Sequence, residues 1–397
     1  MDVALISRQR YLDQVADFIG KDLIKVLVGQ RRVGKSFILR QIRDHLVRDR
    51  GVKESEILFI NKEDVAWDHV RTYQELHAVA EPYKYIFVDE IQDIEGWEKA
   101  LRSLQARGGV DIYITGSNSK LLSGEFATYL SGRYVSFTVH PLTYPEFLEF
   151  HALERSPAAF DRYVRFGGLP YLRNLPPRDE AVLTYLRDVV DTVVLKDVVA
   201  RHKLRNVDFL KRLLTYLARE TGSIFSAKSI SDYLKNQSVR ISPSVVLDYL
   251  AFCQDANLIR QVGRYDIRGK RAFELKHKFF FTDVGVKNAL LGGYATADVS
   301  GILENVVHMN LSARGWEVST GEIDGKEVDF VCVRGAERRY VQVAYLLASP
   351  ETRDREFASL SAIRDQYPKR VVTMDLGACG DVDGVAWTTV EEFLFSL

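Results

Sequence analysis

The tightest constraint on this chain is an eight-residue run, Gly29-Gln30-Arg31-Arg32-Val33-Gly34-Lys35-Ser36, set between the apolar LIKVLVG (23–29) and the helical pattern SFILRQIRDHL. Gly29 and Gly34 let the backbone curl between a strand and a helix, so that successive N–H groups converge at the helix N-terminus. In that context the G-x-x-x-x-G-K-[ST] spacing is a phosphate-binding loop. The expected ligand is ATP, held by Gly29, Gln30, Arg31, Arg32, Val33, Gly34, Lys35, Ser36 and the adjoining Phe37. Lys35 is expected to reach the β- and γ-phosphates and Ser36 to hold Mg²⁺. The segment around Ile6 and Arg8 lies close enough before the loop to contact the base.

The surrounding pattern supplies a fold for the loop. Apolar runs at 23–29, 56–61 (EILFIN), 85–90 (YIFVDE) and 110–117 (VDIYITGS) alternate with helical spacing from Lys35, near 70–80 and near 97–106. Strands without polar alternation are buried on both faces, and helical crossovers between them make the sheet parallel. The expectation is an α/β P-loop ATPase domain. The third run ends in Asp89, expected to support the metal, and Glu90, expected to polarise an attacking water. The fourth ends near Ser117 and Asn118, either of which is placed to sense the γ-phosphate, unless both simply form a polar turn. Arg133 in LSGRY is read as an arginine finger, acting in cis or from a neighbouring subunit, or else as a surface ion-pair residue.

Downstream the chain divides into a helical lid or linker (143–205), a winged helix (206–283) and a small α/β domain (284–397), following an ATPase domain at 1–142. Three helix-sized segments, two opened by serines, precede strand-like LIRQVGRYDI and AFELKHKFFFTD, joined by Arg268-Gly269-Lys270. Arg260, Arg264, Arg268, Lys270, Arg271, Lys276 and Lys278 face only Asp266 and Glu274 locally. Arg264, Arg268, Lys270 and Arg271 are the expected phosphate contacts to double-stranded DNA, a reading that competes with a lid or protein-docking role. The helix carrying Ser242, Ser244 and Asp248 holds no arginine for guanine, so base reading looks weak.

The P-loop, FVDEIQDIEGWEKAL, ITGS, SGRY, Gly167-Gly168-Leu169-Pro170, YLRDVVDTVVLKDVVARH, FTDVGV, ILENVV and EVDFV…YVQVAY together resemble a large family of prokaryotic AAA-like ATPases. The resemblance implies a winged helix and a terminal restriction-nuclease-like domain of unknown function. Glu304, Asp329 and Gln342 follow the order of nucleases that hold Mg²⁺ with acids, but Gln342-Val343-Ala344 lacks the expected acid and lysine. Lys326 would have to swing in from another strand, so a degenerate docking domain is favoured over an ATP-regulated nuclease.

A net charge of zero argues against a uniformly basic nucleic-acid binder. Cys253, Cys332 and Cys379 lie far apart, which excludes a disulfide framework and paired zinc ligands. With no signal-like start and no apolar run of membrane-spanning length, the expected location is the cytoplasm. The leading expectation is a Mg²⁺-dependent ATPase whose nucleotide state controls the winged helix and terminal domain, acting on DNA. The alternative is a nucleotide-gated switch on a protein partner or homo-oligomer.

Overall fold

The computed structural model describes all residues except 1–5, 118–129, 131, 237–240, 295–298, 376 and 378, with the backbone alone over 271–275. The chain forms two compact units, Met1–Val139 with Asp255–Asn257, and His140–Gln254 with Leu258–Leu397.

In the first unit the elements run α1 (Gln9–Ala16), β1 (Ile24–Val28), α2 (Lys35–Arg48), β2 (Ile57–Asn61), α3 (Tyr73–Ala80), β3 (Tyr85–Asp89), α4 (Trp97–Arg107), β4 (Asp111–Gly116) and β5 (Tyr134–Thr138). The sheet order is β2-β3-β4-β1-β5 and every pair is parallel. The four apolar runs are β1 to β4, with β2 at one edge; β5, which the sequence pattern did not reveal, forms the other edge beside β1. An ion pair lies buried inside this sheet. Lys25 is fully buried on β1, donating to Asp111 Oδ1 at 2.5 Å and to the Lys21 carbonyl at 2.9 Å. Tyr113 and the Gly20 N–H satisfy the other Asp111 oxygen at 2.8 Å each, so the pair is fully hydrogen-bonded, as a buried ion pair must be.

The second unit opens with helices α5 (Tyr144–His151), α6 (Pro157–Phe166) and α7 (Asp179–Thr192), the last continued by a π-helical stretch, Val193–Ala200. Then come α8 (Val207–Arg219), α9 (Ala227–Asn236), α10 (Pro243–Asp255), β6 (Ile259–Asp266) and β7 (Arg271–Phe281). The serines expected to open α9 and α10 do so: Ser226 Oγ accepts from Ser229 N and Ser242 Oγ from Val245 N. The remainder is α11 (Val284–Leu290), α12 (Val299–Ala313), β8 (Glu317–Ile323), β9 (Lys326–Arg334), β10 (Glu337–Ala344), α13 (Pro350–Ser361), β11 (Lys369–Thr373), β12 (Cys379–Val382), β13 (Val385–Thr389) and α14 (Val390–Phe395).

Three helices followed by an antiparallel β6–β7 hairpin match the order expected for a winged helix. The hairpin, however, is the edge of an eight-stranded sheet, β12-β13-β11-β10-β9-β8-β6-β7, because β6 pairs in parallel with β8 through Arg264–Asp266 and Thr320–Glu322. One apolar core runs from Tyr144 and Tyr163 through Phe280 and Val306 to Phe330, Val343 and Phe393. The boundaries expected at 205/206 and 283/284 therefore do not separate compact units; the one expected at 142/143 lies close to the observed division.

The turn at Gly167-Gly168 is held within this unit by Asp283. Its fully buried carboxylate accepts from Gly168 N at 2.7 Å and from Val286 N at 3.0 Å, capping α11. Gly167 has φ +78, and a Cβ there would stand 2.3 Å from Asp283 Oδ1, so this contact requires glycine.

A second polar cluster ties the hairpin to the terminal strands. Lys278 on β7, 1% exposed, places its ammonium 2.9 Å from Glu304 on α12, 2.6 Å from Glu327 and 3.2 Å from Asp329 on β9. Burial works against its charge, but the three carboxylates outweigh it and hold Lys278 above its ordinary value. Burial, together with neighbouring Asp329, pushes Glu304 up to about 8. The folded state thus keeps a proton on Glu304 that the unfolded chain loses above about pH 4.5, so stability falls as pH rises from there towards 8. Lys278→Met should destabilise the protein by about 3–5 kcal/mol, since it strands buried carboxylates without a counter-charge. Glu304→Gln should flatten the decline between pH 5 and 8; urea unfolding at several pH values reads both effects.

Candidate functional site

Strand β4 lies between β1 and β3, so the loop after β1, the acids ending β3 and the polar end of β4 share one edge of the parallel sheet. Gly29 opens the loop where an added Cβ would stand 2.2 Å from the Val139 carbonyl oxygen, so only glycine fits. Arg32 is left-handed at φ 68, and Gly34, at φ 95, is the N-cap of α2. Gln30 and Val33 are buried, Arg31 is half-buried, and Arg32 and Phe37 are exposed. Lys35, at the start of α2, is buried and turns back on the loop, donating to the Gly29 and Gln30 carbonyls at 3.0 Å each.

The segment before α1 is strapped to this loop. Arg8, 4% exposed, donates from Nη1 to the Val33 carbonyl at 3.2 Å and lies 4.7 Å from the Tyr11 ring centre. Gln41 on α2 donates to the Ile6 carbonyl at 2.8 Å. Arg8 therefore borders the loop, and Ile6 the helix that follows it.

Asp89 and Glu90 are both buried. Thr115 on β4 donates from Oγ1 to Asp89 Oδ1 at 2.5 Å and accepts from the Glu90 backbone N–H at 3.0 Å. Ser36 also hydrogen-bonds Asp89. Burial pushes the Asp89 carboxyl above its usual range, against these two hydrogen bonds and the nearby Lys35, which favour the ionised form. A hydroxyl and a carboxylate brought together beside the loop are hard oxygen donors, and such donors suit Mg²⁺. Glu90 adopts a left-handed conformation at φ 56, and its carboxylate Oε2 accepts from Gln92 Nε2 in a close hydrogen bond.

The structure thus brings Lys35, Ser36, Asp89 and Glu90 together. Thr115, passed over in the sequence in favour of its neighbours, is the residue that joins the two acids; a threonine on the last turn-facing residues of an apolar strand was the available signal. Ser117 is fully buried beyond the end of β4, with its carbonyl accepting from Asn257 Nδ2 at 3.4 Å. Asn118 lies outside the described residues.

Arg133 is elsewhere. Its carbonyl accepts from Ile24 N at 2.9 Å, at the start of β1, whereas the loop follows the end of that strand. At about 3.3 Å of rise per residue the intervening strand sets Arg133 roughly 15 Å from Gly29, so the expected role in cis does not fit.

In the second unit the proposed DNA contacts are partly engaged. Arg264 pairs with Glu322 in a close ion pair, and Arg268 with Asp324 at 2.6 Å. Lys270 is exposed, and the Arg271 side chain lies outside the described residues. Lys278 and the acids around it are bound to one another, and among the described residues no group of three or more His, Cys, Asp or Glu is arranged to hold a metal ion. The lysine that reaches Glu304 and Asp329 is Lys278 of β7.

Comparison with known proteins places this geometry in a wider group. Residues 21–148 match the model of an AAA domain, and residues 157–296 that of a domain of unknown function, DUF8612. An uncharacterised protein of Haemophilus influenzae is 34% identical over 406 residues, covering 99% of this chain and 100% of that protein. The uncharacterised protein MJ1544 of Methanocaldococcus jannaschii is 30% identical over 363 residues, covering 86% and 79% respectively. Among solved structures, the Walker-type ATPase PABY2304 of Pyrococcus abyssi is similar over 72% of this chain and 95% of that chain, at 17% identity and a TM-score of 0.49. No helix among the described residues is long and apolar enough to cross a membrane. With a P-loop after β1, Asp89 and Glu90 at the end of β3, and 34% and 30% identity over most of its length to these two relatives, the chain belongs to their family of AAA-domain proteins.

Proposed function

We propose that the protein binds Mg²⁺·ATP on the P-loop and hydrolyses it to ADP and phosphate. The observation that carries this reading is the convergence of Lys35, Ser36, Asp89 and Glu90 at one sheet edge, with Thr115 fixing both acids. The N–H groups of Gly29–Ser36 and the start of α2 receive the phosphates, and Lys35 exchanges its carbonyl partners for β- and γ-phosphate oxygens. Ser36 and Asp89 are the residues that would hold Mg²⁺, which supplies charge neutralisation of the triphosphate when bound. Glu90 takes a proton from the attacking water as its oxygen bonds to the γ-phosphorus and the bond to the bridging oxygen breaks. Ser117 and the neighbouring Asn118 are proposed to register the γ-phosphate from the end of β4.

The partner whose state this cycle controls fits a protein better than duplex DNA. Arg264 and Arg268 are engaged by acids of the β8–β9 hairpin, and α10 exposes Leu247, Asp248 and Ala251 rather than cations. Phosphate contacts through Arg264 and Arg268 would first have to break those pairs. The site is proposed to work in the cytoplasm, where ATP is at hand.

Purified protein should turn over ATP only with Mg²⁺. Lys35→Ala should abolish nucleotide binding, and Glu90→Gln should keep it while lowering kcat by about 10²-fold or more, as loss of a general base does. Turnover undiminished in Glu90→Gln would remove the assigned base. Thr115→Val should lower kcat and cost about 1–3 kcal/mol in urea unfolding, because a buried carboxylate loses a donor. Addition of duplex DNA at low salt should leave the rate unchanged; stimulation that fades with salt and with neutralised Arg268 and Lys270 would restore the DNA reading.

A further inference from the structure

Glu90 is held in an unusual way for a side chain that must meet a water molecule. Its backbone is left-handed at φ 56 and ψ 53, a conformation that is unfavourable for a residue with a Cβ. Two hydrogen bonds fix that backbone: Glu90 N to Thr115 Oγ1 at 3.0 Å, and Asp93 N to the Glu90 carbonyl at 3.1 Å. The backbone is settled, so the remaining freedom lies in the side chain, and there the contact is with Gln92. Gln92 belongs to the single 3₁₀ turn Ile91–Asp93 that follows Glu90, and its Nε2 donates to Glu90 Oε2. The orientation of the amide follows from its chemistry, since only the nitrogen end can donate to a carboxylate. The other end, Gln92 Oε1, is buried and has no hydrogen-bond partner among the described residues. A buried acceptor left unsatisfied is destabilising, a cost that a plain packing residue would not incur.

We propose that Gln92 is a positioning residue for hydrolysis. Its amide N–H fixes one oxygen of Glu90, leaving the other to accept the proton of the attacking water. Its unpartnered Oε1 accepts the second hydrogen of that water, so carboxylate and amide together set the line of attack. The water oxygen bonds to the γ-phosphorus, one proton passes to Glu90, and ADP leaves with the bridging oxygen. This inference rests on Glu90 being the base, as proposed above.

The test compares Gln92→Ala and Gln92→Glu with the wild type and with Glu90→Gln, under saturating Mg²⁺·ATP, alongside binding of a fluorescent ATP analogue and thermal unfolding. Gln92→Ala should lower kcat by roughly 10-fold to 100-fold, the range over which misorientation of a reacting group acts. Gln92→Glu keeps the shape but replaces the donor by a second carboxylate, and should lower kcat at least as far. KM and analogue affinity should stay within about 2-fold in both, because neither end of Gln92 is assigned to the bound nucleotide in its ground state. A kcat within about 2-fold of wild type in both variants, a rate that rises, or an equal loss of affinity and melting temperature would each overturn the proposal. If Glu90→Gln is inactive and the Gln92 variants are not, this inference alone fails; if Glu90→Gln turns over normally, the assignment of Glu90 fails and Gln92 with it.

Discussion

The hydroxyl of Thr115 is the interaction on which the candidate site depends. A hydroxyl offers one proton and two lone pairs, and here the proton goes to Asp89 while a lone pair receives the Glu90 backbone N–H. That division gives the two consecutive acids different lives. Asp89 gains a donor, which with Ser36 opposes the burial that would otherwise neutralise it. Glu90 gains an anchor that holds its backbone in a left-handed turn and lets its side chain leave the line of the strand. None of this is possible unless β4 lies between β1 and β3, because only then does a residue of β4 stand beside the last residue of β3. Parallel strands connected by helices can be ordered in several ways, and the insertion of β4 is the choice that makes the loop, the acids and the threonine meet.

The local parts of this arrangement were legible in the sequence. Four apolar runs without alternation could only be strands covered on both faces, and the spacing of Gly29, Gly34, Lys35 and Ser36 is a backbone requirement written in side-chain identities. The non-local parts were not. Strand β5 reads YVSFT, with polar residues at alternate positions and only Phe137 buried, the weaker pattern of an edge strand. Its place beside β1 also sets Arg133 at the opposite end of that strand from the loop. Thr115 and Gln92 act through hydrogen bonds that depend on strand register and on the path of a turn, and no residue type announces those in advance.

The second unit shows the same limit with charges. Seven cations around the hairpin looked unopposed because only Asp266 and Glu274 are near them in sequence. The opposing acids, Glu322, Asp324, Glu304, Glu327 and Asp329, arrive from elements beginning at least 21 residues later, brought in by the pairing of β6 with β8 and by the packing of α12. A count of charge along a segment measures phosphate affinity only when the segment's partners are other parts of itself. Here the hairpin is a sheet edge shared with the terminal strands, and Arg264, Arg268 and Lys278 are paired with acids of later elements. The three stretches expected within 143–397 fall largely in one compact unit for the same reason: helical and strand periodicity mark elements, whereas a common core is a property of contacts between them.

Two buried lysines illustrate why one cation can serve a ligand and the other cannot. Lys35 rests on two neutral carbonyls of its own loop. Hydrogen bonds between an ammonium and an anionic phosphate are roughly twice as strong as those to neutral acceptors, so an incoming triphosphate displaces the carbonyls at a net gain. Lys278 rests among three carboxylates, two of them largely buried. A phosphate offers it nothing stronger than it already has, and its departure would leave like charges facing one another in a medium of low polarity. Its partners therefore make Lys278 a strut between β7, α12 and β9.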